Sequence, residues 1–291
     1  MIKIKPNLNG ILNRIMQSTQ LVNFILAERD KQVNIYRKKS PGEKLGDIFW
    51  YIVLFTESYF TYAKNMLNAY AALIYEVADN LPPKTNENFS ELWSYVKNNN
   101  IPDKELEDYL RNKMHWYEIL ILLPRNQLVI HDKKTSGYGL NDHEIDVYIG
   151  KHATHDVDKN KDALDLVQKI ISNHPEFSGL KSETYFHPVY RQIVAKIDIL
   201  DQKEINILVA AAGIVGFDFP YIPQTTPKLQ DFIDFIEKWL ANKFQMCPTC
   251  KKPTLKVTRL ALNPGMKPDP NNIWFGWMCP VCRYQKKFNL T

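Results

Sequence analysis

The sequence predicts a mainly α-helical fold: a bundle with a helical extension, followed by a small C-terminal β module. Three observations predict it. Apolar residues recur at helical spacing over most of the first 123 positions, with few prolines between them. Further amphipathic runs continue to residue 244. The last 45 residues hold all four cysteines, in two close pairs, among short runs of strand character. The boundaries implied are 1–160 for the bundle, 161–244 for a helical middle region and 245–291 for the C-terminal module.

The 291 residues suffice for one large or two small cores. Hydrophobic residues make up 45% and charged residues 24%, which excludes a disordered chain. The net charge of +5 permits a polyanionic partner without demanding one. The most apolar run, Ile48 to Phe55, is eight residues, too short to span a bilayer. The start, Met1-Ile2-Lys3-Ile4-Lys5-Pro6, lacks the apolar core of a signal peptide. A soluble, cytoplasmic protein without membrane contact is expected.

Ile11, Leu12, Ile15, Val22, Ile25 and Leu26 place a first helix over 9–38. Ser40-Pro41-Gly42-Glu43 reads as a capping box opening a second helix that runs to Ala78. That helix is rich in aromatics, from Phe49, Trp50 and Tyr51 to Tyr70 and Tyr75, and their stripe is expected to be buried, in a core or a dimer interface. A short helix follows from Ser90, and another opens at Pro102-Asp103 and continues to Leu123. Lys133 to Gly139 is a loop by composition, and the alternation of Ile145, Val147 and Ile149 suggests a short strand. His143, His152 and His155 cluster among acidic residues without tight metal-ligand spacing, so a solvated loop is expected there. Residues 162–173 read as a helix stopped by His174-Pro175, and 184–200 fit helix and strand equally. Asp201 and Glu204 form a second capping box before a helix over 205–215. A connector over 217–224 leads to an amphipathic helix capped at Thr226-Pro227.

The stretch Leu123-Pro124-Arg125-Asn126 to His131 concentrates chemistry. Arginine is a fixed cation with a planar fork of donors suited to phosphate. Histidine gives or takes a proton near neutrality. Asparagine donates and accepts at once. On a straight helix Arg125 and His131 would lie about 240° apart, so a bend or a second copy must bring them together. Arg-Asn followed by four residues and His resembles the signature of the HEPN superfamily, carried by Arg125, Asn126 and His131. The resemblance implies an all-α bundle, a homodimer and metal-independent endoribonuclease activity, with these three residues catalytic. It further implies a toxin or phage-defence role, with an antitoxin or regulatory protein as a partner. Lys133 stands where toxin members carry a tyrosine that a partner modifies, so the resemblance does not extend to that control. Upstream, Arg111 and His115 mimic the motif at a shorter gap and are expected merely to share a helix face.

Cys247-Pro248-Thr249-Cys250 and Cys279-Pro280-Val281-Cys282 are two knuckles separated by 28 residues. Two residues between cysteines let both thiolates reach one ion, and two such pairs complete a tetrahedral site. This looks like a zinc ribbon, with one structural Zn2+ per chain held by Cys247, Cys250, Cys279 and Cys282. The glycine that usually follows a knuckle is replaced by Lys251 and Arg283. Candidate contacts to RNA are Lys133, Lys134, Lys256, Arg283 and Trp277, by charge and stacking; the ribbon aromatics equally suit its own core. Two non-enzymatic alternatives remain open: a catalytically inactive nucleic-acid- or nucleotide-binding protein, and a scaffold held by the aromatic helix over 45–78.

Overall fold

The computed structural model describes residues 8–39, 46–78, 81, 88–126, 137–140, 145–149, 157–182, 185–215, 217–219, 221–241, 247, 249–250, 256–260, 274–279 and 281–287. It is mainly helical. Eight α-helices are described: α1 (Leu8–Arg37), α2 (Asp47–Val77), α3 (Phe89–Asn98), α4 (Lys104–Lys113), α5 (Val157–Asn173), α6 (Phe186–Ala195), α7 (Gln202–Ile214) and α8 (Tyr221–Ala241). Two three-stranded antiparallel sheets accompany them: β1 (Gly137–Leu140), β2 (Ile145–Ile149) and β3 (Phe217–Phe219) in order β1-β2-β3, and β4 (Lys256–Leu260), β5 (Trp274–Met278) and β6 (Gln285–Lys287) in order β4-β5-β6. The chain forms two compact units, one of residues 1–27, 62–111 and 229–291, the other of residues 28–61 and 112–228. The segments 112–160 and 161–228 thus fall within one unit. No helix among the described residues is long and apolar enough to cross a membrane.

In the first unit, buried apolar residues recur every three or four positions along α1 and α2, among them the fully buried Leu12, Ile15, Met66, Leu67 and Ile74. Phe232 of α8 meets Tyr70 and Phe89 edge-on at 5.4 and 5.6 Å, and Phe235 stacks on Tyr109 at 3.7 Å. Asn88 starts α3 by accepting the Ser90 N–H. Asp103 accepts the Leu106 N–H at the start of α4, and its other oxygen takes the Trp239 indole N–H at 2.9 Å.

Glu107 ties this unit's polar groups together. Its side chain accepts the Ile101 N–H at 2.8 Å and the Lys104 ammonium at 2.9 Å, and pairs with Arg111 at 3.3 Å. Lys104 first, then the Ile101 N–H, outweigh burial and hold this carboxyl below its ordinary value of 4.5. A carboxyl depressed in the folded state stabilises fully above its unfolded value and loses that contribution as pH falls through the folded one. Glu107→Gln is therefore expected to flatten the acid limb of stability below about pH 4.5, read as urea midpoint against pH. An acid limb as steep as that of wild type would contradict the assignment.

In the second unit, α5 packs along α7, and the expected capping box at Asp201 and Glu204 is present in both directions. Glu204 also meets His174 Nε2 with both oxygens at 3.0 Å, which anchors the segment ending α5.

Several local expectations are corrected. The strand β1 occupies Gly137 to Leu140, where composition suggested loop, because it pairs with β2. The ambiguous 184–200 segment is the helix α6 plus a 3-10 turn, with Phe186, Val189, Tyr190 and Ile193 buried at helical spacing. The connector before α8 contains β3, paired with β2, and α8 starts at Tyr221 with Pro227 inside it. The helix opened at Asp103 ends at Lys113 and does not reach Leu123 unbroken. On α2, Tyr59, Phe60 and Tyr70 are buried as expected, but Trp50 and Tyr51 are 67% and 49% exposed, so the stripe does not continue to the start of the helix. The capping box proposed at Ser40 to Glu43 and the histidines 143, 152 and 155 lie outside the described residues.

Candidate functional site

The segment around Arg125 is helical but not regular. A π-helical turn covers Glu118–Leu122, and the Leu123 N–H bonds the Glu118 carbonyl five residues back. Pro124 supplies the physical reason for disturbance. It has no N–H, so the carbonyl four residues earlier, on Leu120, loses its α-helical donor. Thr225 stands beside it: the single proton of its fully buried hydroxyl is shared between the Leu120 carbonyl at 3.2 Å and the Tyr221 carbonyl at 2.5 Å. Gln202 holds the other end of the turn by donating to Glu118 at 2.9 Å. Valine at position 225 keeps the shape and removes the donor. Thr225→Val should cost about 1–3 kcal/mol, the penalty of a buried carbonyl left without a partner. Urea unfolding measures this, and a cost near zero would mean that Thr225 does not compensate for Pro124.

Arg125 and Asn126 follow directly. The Arg125 Nη1 donates to Asn126 Oδ1 at 3.4 Å. The Arg125 Nε is buried and has no hydrogen-bond partner among the described residues. A buried donor without a partner is costly and uncommon; the Arg111 Nε is a second such donor among the described residues. His131, Lys133 and Lys134 lie outside the described residues. The sequence had no signal for Thr225 and Gln202; Pro124 within a helical run implies that some outside donor is required, but not which.

The upstream copy is structural. Arg111 Nη2 donates to the Val96 and Asn99 carbonyls at 2.9 and 3.0 Å, closing the C-terminus of α3. Arg111 and His115 do not share a helix face, because α4 stops between them.

The four cysteines converge. Their sulfur atoms all lie within 4.8 Å of one another, with Cys247 to Cys282 at 3.5 Å and Cys250 to Cys279 at 3.6 Å. A disulfide needs about 2.05 Å, whereas a tetrahedron with metal–sulfur bonds of about 2.3 Å puts its sulfurs about 3.8 Å apart. The spacing suits a single ion held by four thiolates. Burial pushes the Cys247 thiol up, but the N–H groups of Cys250 and Thr249 and the neighbouring thiols outweigh it and hold it below the ordinary range. The Tyr284 N–H lowers Cys282, yet burial and the adjacent thiols push it up to about 12. A divalent cation is the partner that lets all four sulfurs ionise together.

The second knuckle closes with the Arg283 N–H on the Cys279 carbonyl and the Cys279 N–H on the Tyr284 carbonyl, both at 2.8 Å. Arg283 takes φ +59°, the left-handed conformation that explains why glycine usually stands there. Arg283→Gly should therefore stabilise the ribbon by about 1 kcal/mol, the relieved strain exceeding the added chain entropy. The chelator concentration needed to release metal should rise; a fall would show that the arginine side chain stabilises more than its backbone costs.

Of the proposed RNA contacts, Arg283 is exposed, as is the neighbouring Lys286. Trp277 is 7% exposed and paired with Val257 and Lys286 in the middle of the sheet, which fits the alternative that the ribbon aromatics form its own core. The backbone of Lys256 lies in β4.

No family model, curated protein or solved structure matches this chain.

Proposed function

We propose that the protein is a metal-independent endoribonuclease of HEPN type, with a zinc ion structural in the ribbon. The observation that carries the reading is the Arg125 guanidinium beside Asn126, its buried Nε without a partner among the described residues. The irregular turn before it adds support, since π-helical turns are rare and frequent at functional sites. In this reading the ribose 2′-hydroxyl attacks the adjacent phosphorus and the 5′-oxygen of the next nucleotide leaves. His131 moves the proton as general base or acid. Arg125 binds the phosphate and stabilises the charge growing on its oxygens, and Asn126 orients His131 or the scissile phosphate. The products carry 2′,3′-cyclic phosphate and 5′-hydroxyl ends. A homodimer would bring two copies of Arg125 and His131 into one cleft. The test is RNA cleavage by wild type against Arg125→Ala and His131→Ala, run without added metal and again in excess chelator.

Exposed Arg283 and Lys286 favour a second reading, nucleic-acid binding by the ribbon without cleavage. Binding whose affinity falls steeply with salt, and no cleaved product, would select it.

A further inference from the structure

Between α1 and α2 in the first unit lies a cavity of about 330 Å³, at the small end of the range for ligand sites. Its rim is solvent-facing and polar. On α1 the residues Arg14, Gln17, Ser18 and Leu21, at i, i+3, i+4, i+7, share one face beside the buried seam, and Arg14, Gln17 and Leu21 are exposed. On α2, Tyr62, Asn65 and Asn68 recur every three residues toward the same space. Immediately beside them the seam is conventional: Ile15, Met16, Met66 and Leu67 are buried, and Thr19 reaches Met66 sulfur at 3.5 Å. The two helices are therefore firmly packed beneath a polar recess. Asn68 Oδ1 accepts the Phe89 N–H at 3.0 Å, which fixes that carboxamide and leaves its amino group for other acceptors.

The lining contains one cation, three carboxamides, a hydroxyl and a phenol ring, and no carboxylate. Each feature selects a part of one ligand class. Carboxamides pair bidentately with the donor–acceptor edge of a purine, and a phenol ring packs on its face. An arginine binds phosphate, and the absence of carboxylates removes repulsion toward it. We propose that this recess binds a free purine mononucleotide, with the phosphate at Arg14, the base edge at Gln17, Asn65 and Asn68, and the ring against Tyr62. The recess belongs to the first unit and Arg125 to the second, and the proposal does not rest on the ribonuclease reading.

The test is isothermal titration of the full-length, zinc-loaded protein with AMP, GMP, CMP and inorganic phosphate at fixed ionic strength. Arg14 and Asn65 are exposed, so Arg14→Glu and Asn65→Leu leave the packed seam intact. A purine mononucleotide should bind once per chain, and CMP and phosphate about tenfold more weakly or less. Each of the two variants should weaken purine binding about tenfold or more, while Arg125→Ala binds as wild type. Equal affinity for phosphate and nucleotides would overturn the base-recognition claim. Wild-type affinity in both variants, or no nucleotide binding at millimolar concentration, would overturn the site. Binding of single-stranded RNA oligonucleotides alone would overturn the free nucleotide as its ligand.

Discussion

Arg125→Ala is expected to lower RNA cleavage about 10²- to 10³-fold while leaving the fold as stable as wild type, within about 1 kcal/mol. Two opposite effects of one side chain lead to this result. The guanidinium would stabilise charge that develops on the phosphate only in the transition state, so its loss should appear in turnover. In the folded protein, its Nε is a buried donor with no partner among the described residues, and its one described hydrogen bond is to the adjacent Asn126 at 3.4 Å. Truncation removes an unsatisfied group and breaks little. A residue kept for the fold behaves differently. Arg111, whose Nε also has no partner among the described residues but whose other nitrogens bond two carbonyls and pair with Glu107, should lose stability on truncation and leave turnover per folded molecule unchanged. Thermal melting and cleavage rates for Arg125→Ala and Arg111→Ala, side by side, separate the two roles. A large loss of stability in Arg125→Ala would make Arg125 a structural residue.

Removing the metal should unfold the ribbon and leave the helices standing. The ribbon is small: three short strands of five, five and three residues accompany the four sulfurs. Binding of a structural zinc contributes about 10–16 kcal/mol, and in so small a domain that binding energy is folding energy. The helical units instead bury many aromatic and aliphatic side chains that owe nothing to the ion. Chelation should therefore abolish hydrogen-exchange protection in β4 and β5 and expose four reactive thiols, with the far-ultraviolet helix signal nearly unchanged. Protection in β5 that persists after complete metal loss would mean that the ion does not organise the ribbon. Metal analysis of the purified protein should give one zinc per chain.

Features written in neighbouring residues were legible from sequence. The capping box of Asp201 and Glu204 spans four positions and formed as expected. The cysteine pairs, each a local turn, foretold the convergence of four sulfurs, and the short runs of strand character around them hold β4, β5 and β6. Features that depend on distant partners were not legible. Gly137 to Leu140 looks like loop until β2 pairs with it, and Phe217 to Phe219 becomes a strand only by pairing with residues some 70 positions earlier. The π-helical turn before Arg125 was not legible either, and the Thr225 hydroxyl beside the Leu120 carbonyl comes from α8, about a hundred residues later. Aromatic side chains left choices open: Trp277, suited equally to RNA and to the ribbon core, is buried, and Trp50, in a stripe expected in a core or a dimer interface, is exposed in the single chain. Residue type gives an aromatic ring its affinity for burial, while the packing of other elements decides whether burial is available.

The most direct test of the central claim is the chemistry of the cut ends. Labelled single-stranded RNA is incubated with wild type, Arg125→Ala and His131→Ala without added metal, and the product termini are resolved by mass spectrometry. The account predicts 2′,3′-cyclic phosphate ends from wild type and a loss of about 10²-fold or more in each variant. No cleavage by wild type, equal cleavage by all three proteins, or products ending in 3′-hydroxyl groups would contradict it.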